Sequence, residues 1–226
     1  MKVMKTIVKR FPSLLGMALF SYNALRRSVK TKENESYWQK QSEIDSYSPA
    51  DDVATALFIR SIMEGNHRTV FEIGAADGTR IISVKKFVPN IEAFGLDIQS
   101  NYRTPFDVDG VSFRYFDTRF FEGGFDKPIM LSRNTLTCFS PDEVRELFTT
   151  LSKNGIAVAY FEPSPNFNVT DHTVRSARQN LTVYYHPYDD ILEGLGYTLH
   201  VDGTNTKNWC GVVYGLECYR YQYATI

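Results

Sequence analysis

What the chain has little of narrows it first. Cysteine occurs three times, at Cys138, Cys210 and Cys218, with no C-x-x-C pair. That argues against a cysteine-bound metal and suits reduced thiols in a cytoplasmic protein. Long apolar runs are missing too. The stretch Ser13–Phe20 is far short of the ~20 residues that span a bilayer. A basic surplus is absent: net charge is −1 over 226 residues. No internal repeat or low-complexity segment marks a solenoid or a disordered chain.

The near-zero charge is an average over two unequal parts. The first 32 residues carry eight basic side chains and no acid, leaving 17 basic and 26 acidic groups in residues 33–226. An acidic body is a poor platform for nucleic acid, whose phosphates require Lys/Arg neutralisation. An anionic partner would have to meet the tail, and a membrane surface touched peripherally by residues 1–32 is one candidate. Leu14, Leu15, Ala18 and Leu19 recur there at helical spacing. Such a helix can lie on lipid or pack on its own body or a partner. A cleaved signal is disfavoured, because bulky Tyr22 stands two residues before Ala24. The triplets at Asn34, Asn168 and Asn180 fit a glycosylation pattern that matters only in a secreted chain.

What is present is a regular alternation. After a polar connector over 33–47, Ser48-Pro49-x-Asp51 predicts a helix start, and Gly65 a left-handed stop. RTVFEIG (68–74), IEAFGLDI (91–98), VSFRYFD (111–117), PIMLSRN (128–134) and GIAVAYFEPS (155–164) read as strands. TRIISVKKFV (79–88), a helix capped by the box Ser140-Pro141-Asp142-Glu143, and YDDILEGLG (188–196) read as helices. YTLHVD (197–202) and NWCGVVYGLECYRYQ (208–222) follow as strands. The short link between these two predicts an antiparallel last strand. The expectation is an α/β, doubly wound, Rossmann-like sheet of seven strands, mostly parallel, in a domain spanning 48–226 with an N-terminal appendage over 1–47.

In such a sheet, ligands bind beyond the carboxyl ends of the strands. TVFEIGAADGTR (69–80) lies at one of them. It lacks G-x-G-x-x-G, the loop that seats a pyrophosphate, so nicotinamide chemistry is disfavoured. Its spacing is E-x-G-x-x-x-G, on Glu72, Gly74 and Gly78. Small residues there let a cofactor approach the backbone.

This pattern resembles motif I of class I S-adenosylmethionine-dependent methyltransferases, with Ala76 standing where a glycine is usual. The likeness runs from about Ser48 to Tyr221. It implies S-adenosylmethionine as cofactor, held by Glu72, Gly74, Ala76, Gly78, Asp97, Asp117 and Ser132. Asp97 would take the ribose hydroxyls and Asp117 the adenine amine. A cationic sulfonium suits a site bearing Glu72 and Asp77.

The reaction so implied is methyl transfer to a small-molecule acceptor, with a hydroxyl oxygen favoured. SRNTL from Ser132 replaces the [DN]-P-P-[YF] of amino-methylating enzymes, and no carboxylate cluster suggests a metal. A hydroxyl acceptor benefits from a general base. The candidates are His186, His172 (in a polar loop or lid over 165–180) and Glu162, whereas His67 and His200 read as structural. Sugars are one acceptor class. The alternative is a non-catalytic, methyltransferase-like binding or scaffold protein docking through its basic tail.

Overall fold

The computed structural model describes residues 49–164, 173–178, 181–200 and 218–226. The tail over 1–32, the connector and His172 lie outside them. Described residues begin with α1 (Pro49–Glu64), β1 (Thr69–Ile73), α2 (Thr79–Phe87) and β2 (Glu92–Asp97). A short hairpin follows, β3 (Phe106–Val108) and β4 (Val111–Tyr115), then β5 (Pro128–Arg133), α3 (Pro141–Lys153) and β6 (Ala157–Ser164). The chain continues through β7 (Thr173–Arg178), β8 (Leu181–Tyr185), α4 (Tyr188–Gly194), β9 (Thr198–His200) and β10 (Cys218–Thr225).

One sheet carries eight strands in the order β3-β4-β2-β1-β5-β6-β10-β9. Strands β4, β2, β1, β5 and β6 pair in parallel, and β10 is antiparallel to both β6 and β9. The expected reversed last strand is present as β10, Cys218–Thr225; residues 208–217 of its expected range lie outside the described residues. The eighth strand is β3, an antiparallel edge added to β4. Its turn is Asp109-Gly110, with φ of 52° and 78°. That is the double left-handed conformation which joins two strands tightly.

Two further expectations change. Residues 173–178, read as part of a loop or lid, form β7 and pair with β8 in a separate two-stranded sheet. The left-handed residue after α1 is Asn66 (φ 50°), not Gly65. Gly65 is needed for space, since a Cβ there would collide with His67 Nε2 and the Tyr223 hydroxyl.

The sheet is covered on both faces, and the period of two assigns each side chain. Val70, Ile129, Leu131, Ala159 and Phe161 join Ala54, Phe58 and Ile62 of α1 and Ile81 and Val84 of α2. Phe71, Ile73, Met130, Val158 and Tyr160 join Val144, Leu147, Phe148 and Leu151 of α3 and Leu192 of α4. Helix α3 starts as its sequence dictates: Glu143 N–H donates to Ser140 Oγ at 3.3 Å, and Ser140 N–H donates to Glu143 Oε2 at 2.7 Å. Phe71 centres an aromatic cluster, with ring centroids at 5.5 Å from Phe94, 5.3 Å from Phe121 and 4.8 Å from Phe125.

Truncating that centre should be costly. Phe71→Ala is expected to destabilise the domain by about 3–5 kcal/mol, the range for emptying a buried aromatic site. Urea unfolding checks this; a loss under about 1 kcal/mol, the scale of a surface substitution, would contradict the packing.

Candidate functional site

The carboxyl ends of β1, β2 and β4–β6 form one edge of the sheet, where the parallel pairing brings several acids together. The loop after β1 is built almost entirely by its own chain. Gly74 N–H donates to Leu96 O at 2.8 Å, Ala75 N–H to the same oxygen at 3.2 Å, and Gly78 N–H to Ala75 O at 2.7 Å. Asp77 accepts from Thr79 N–H at 3.0 Å and from the Thr79 hydroxyl at 2.9 Å, which starts α2. Gly74, Ala76 and Gly78 all have positive φ, at 67°, 50° and 78°. Two of them also need room. A Cβ on Gly74 would strike the Thr135 side chain, and one on Gly78 the Phe113 ring. The glycines are thus explained first by how closely this loop lies against its own chain.

Ala76 is held at both polar ends. Its N–H donates to Asp97 Oδ2 at 2.9 Å, and its carbonyl accepts from the Tyr102 hydroxyl at 2.6 Å. Asp97 Oδ1 accepts from Gln99 N–H at 3.0 Å. Asp97 is 7% exposed. Burial raises its pKa, opposed by hydrogen bonds from the N–H groups of Ala76, Gln99 and Ile98. The Tyr102 phenol is raised far more, first by burial and then by the charges of Asp97, Glu72 and Asp77. These three acids therefore set a negative field around the loop. Arg103 lies over the Tyr115 ring, 4.9 Å from its centroid, beside the same edge.

The other predicted residues fall into different settings. Glu72 shares the face of Val70, so it points toward α2 and forms an ion pair with Arg80; it is wholly buried. Its charge lies beneath the loop. Ser132 is also wholly buried and donates to Glu162 Oε1 at 2.6 Å. Asp117 is half-exposed beyond β4, where it accepts from Arg119 N–H at 2.9 Å and pairs with the Arg119 guanidinium. Those contacts hold its carboxyl below the usual range, the side-chain hydrogen bond first.

Among the candidate bases, Glu162 is the most enclosed. It is 0% exposed, and Oε1 already accepts from Ser132 Oγ and from the N–H groups of Thr135 (3.0 Å) and Leu136 (3.2 Å). His186 sits just before α4, whose capping position belongs to Pro187. His186 Nε2 lies 3.0 Å from Phe139 O. A carbonyl only accepts, so Nε2 carries the proton and the basic nitrogen of the neutral ring is Nδ1. Its ring lies between Tyr184 (5.6 Å) and Tyr188 (5.3 Å).

Sequence reasoning missed Tyr102, Thr135 and Arg80 as builders of this edge. Arg80 closes the stretch TVFEIGAADGTR, two positions after Gly78, and Thr135 stands in SRNTL. Tyr102 carries no local signal. Among the described residues, no group of His, Cys, Asp and Glu could hold a metal, and no helix is long and apolar enough to cross a membrane.

No protein-family model and no curated protein matches the chain. Solved structures do. An O-methyltransferase family protein from Burkholderia thailandensis is 16% identical with a TM-score of 0.50; the match covers 78% of this chain but only 55% of that one. The N-terminal domain of EvdMO1, crystallised in the presence of SAH and D-fucose, is 13% identical over 91% of this chain and 96% of its own, with a TM-score of 0.53. A SAM-dependent methyltransferase from Archaeoglobus fulgidus is 15% identical over 78% and 94%, with a TM-score of 0.51. At such identities the likeness establishes the fold: a Rossmann-like sheet of the methyltransferase type.

Two opposite substitutions test the loop geometry. Gly74→Ala should destabilise the protein by roughly 1–3 kcal/mol, because it adds a clash to a left-handed conformation. Ala76→Gly should be neutral or stabilising by up to about 1 kcal/mol, since it relieves left-handed strain and costs only unfolded-state entropy. Thermal unfolding reads both; equal destabilisation by the two would contradict the described backbone.

Proposed function

We propose that residues 48–226 form a methyltransferase domain that moves a methyl group from S-adenosylmethionine to a hydroxyl of a small-molecule acceptor. One observation carries this reading: Asp97, at the end of β2, is joined to the backbone of the loop after β1. A carboxylate offers about four acceptor positions; Ala76, Gln99 and Ile98 N–H groups take three, and the two adjacent hydroxyls of a ribose would share what is left. The field of Asp97, Glu72 and Asp77, partly offset by Arg80, suits a ligand carrying a sulfonium and an ammonium. The fit is therefore of charge and of acceptor groups, without a loop of free N–H groups that a phosphate would require.

In this reading Asp97 holds the ribose, the loop over 74–78 lies against the cofactor, and Asp117, pinned by Arg119, takes the adenine amine. Glu72 and Ser132 hold the edge from the interior. When bound, S-adenosylmethionine supplies an already activated methyl group, so the protein's main work is positioning. His186 is the proposed base, its Nε2–H fixed on Phe139 O so that Nδ1 accepts the proton of the acceptor hydroxyl. His172 is a second proposal for that role. Sugars stay among the acceptor classes, supported by the fold likeness to a domain crystallised in the presence of SAH and D-fucose. Peripheral lipid contact through residues 1–32 is a proposal from charge alone.

The test is calorimetric titration with S-adenosylhomocysteine. Wild type should bind, and Asp97→Asn should weaken binding by at least about tenfold, the scale of one charge-assisted hydrogen bond. Binding needs the ionised carboxylate, so affinity should be full above its pKa and fall as pH drops through it. Burial raises that pKa, so the loss should begin at higher pH than for an ordinary aspartate. Equal affinity in Asp97→Asn, or no binding by wild type, would count against the reading.

A further inference from the structure

Glu162 is the most enclosed acid at the strand ends, and the proposed chemistry does not use it as a base. Its surroundings have a definite direction. Three donors converge on Oε1: Ser132 Oγ at 2.6 Å, Thr135 N–H at 3.0 Å and Leu136 N–H at 3.2 Å. Among the described residues, Oε2 has no partner. The first donor comes from the end of β5 and the other two from the turn that follows it, so a β6 side chain fixes the start of that turn. The turn in turn carries Thr135, whose hydroxyl donates to Arg133 O at 3.2 Å and whose side chain occupies the space a Cβ on Gly74 would need. Leu136, next in line, is wholly buried among the aromatic and aliphatic side chains under α3.

We infer that Glu162 is a positioning residue that couples the turn after β5 to the loop after β1: its carboxyl seats Thr135 against Gly74 and so sets the loop over 74–78. The path is contiguous and short, from Glu162 Oε1 through the Thr135 backbone to the Thr135 side chain and Gly74. Each link is a hydrogen bond or a packed contact, and no ligand takes part. Burial raises the pKa of this carboxyl against the opposing effect of its donors and Arg133. A glutamine at this position keeps one acceptor oxygen for all three donors, whereas an alanine leaves two buried N–H groups and a hydroxyl without one. The coupling stands on the coordinates of the chain; only its consequence for cofactor affinity rests on the methyltransferase reading.

Amide hydrogen exchange of the ligand-free full chain, resolved by residue, tests it. Glu162→Ala should speed exchange about tenfold or more at Thr135 and Leu136, and also at Gly74, Ala75 and Gly78, while β10 amides stay slow. Glu162→Gln should restore protection at both places. Thr135→Ala should loosen Gly74–Gly78 and leave the amides at 135 and 136 protected. Uniform acceleration across the domain in Glu162→Ala, loosening confined to 135–136, or a Gln variant no better than Ala would overturn the coupling. If Glu162→Ala does not fold, the other two variants decide it: an unchanged 74–78 loop in Thr135→Ala overturns the proposal. A final arm titrates S-adenosylhomocysteine into wild type and Thr135→Ala, with about tenfold weaker binding expected in the variant. Failure of wild type to bind would reject the methyltransferase reading while leaving the exchange result to decide the coupling.

Discussion

The hydrogen bond from Ala76 N–H to Asp97 is the constraint on which the candidate site depends. It joins the loop after β1 to the end of β2, the two places where a ligand of this fold would be held. Ala76 adopts φ 50°, a conformation costing roughly 1–2 kcal/mol for a residue with a Cβ. The peptide can stay there because its N–H is taken by Asp97 and its carbonyl by Tyr102. A buried carboxylate and a buried phenol thus offset a local strain of similar size. Left-handed Gly78 caps α2 next in the chain, and Asp77 accepts from Thr79 at the first helical position.

Buried acids recur along this edge, each with a separate task. Glu72 is tied to Arg80 on the α2 face, Asp97 to the first loop, and Glu162 to the turn after β5. A carboxylate out of water is costly unless its partners are close, which restricts how far these loops can move without losing stability. The result is an edge whose backbone is set before any ligand arrives. Preorganisation of that kind suits a reaction in which the leaving group is already activated and geometry limits the rate.

Much of the fold was legible because it is written in local chemistry. Alternation of apolar strands with capped helices and the Ser140–Glu143 box both carry direct signals. The hairpin at β3 had one too, in Asp109-Gly110, but the flanking three-residue strand is too short and too exposed to show a period. In the β7–β8 pair only β7, TVRSAR, is polar, and its mixed pattern reads as loop; LTVYY of β8 carries a strand composition. Site residues divide similarly. Asp97 could be placed because it closes a strand. The inward roles of Glu72, Ser132 and Glu162 could not, since they depend on register and on partners 8, 30 and 26–27 positions away. The small residues of TVFEIGAADGTR invited a ligand explanation, yet Gly74 and Gly78 are already required by Thr135 and Phe113.

That last point leaves the central claim open to direct sight. If Asp97 both fixes the loop and receives the cofactor, a crystal structure with S-adenosylhomocysteine should place the ribose hydroxyls within hydrogen-bond reach of the Asp97 carboxylate. The Ala76–Asp97 bond should persist in that complex. A nucleoside bound away from Asp97, or a loop that releases Ala76 from it to admit the ligand, would contradict the account.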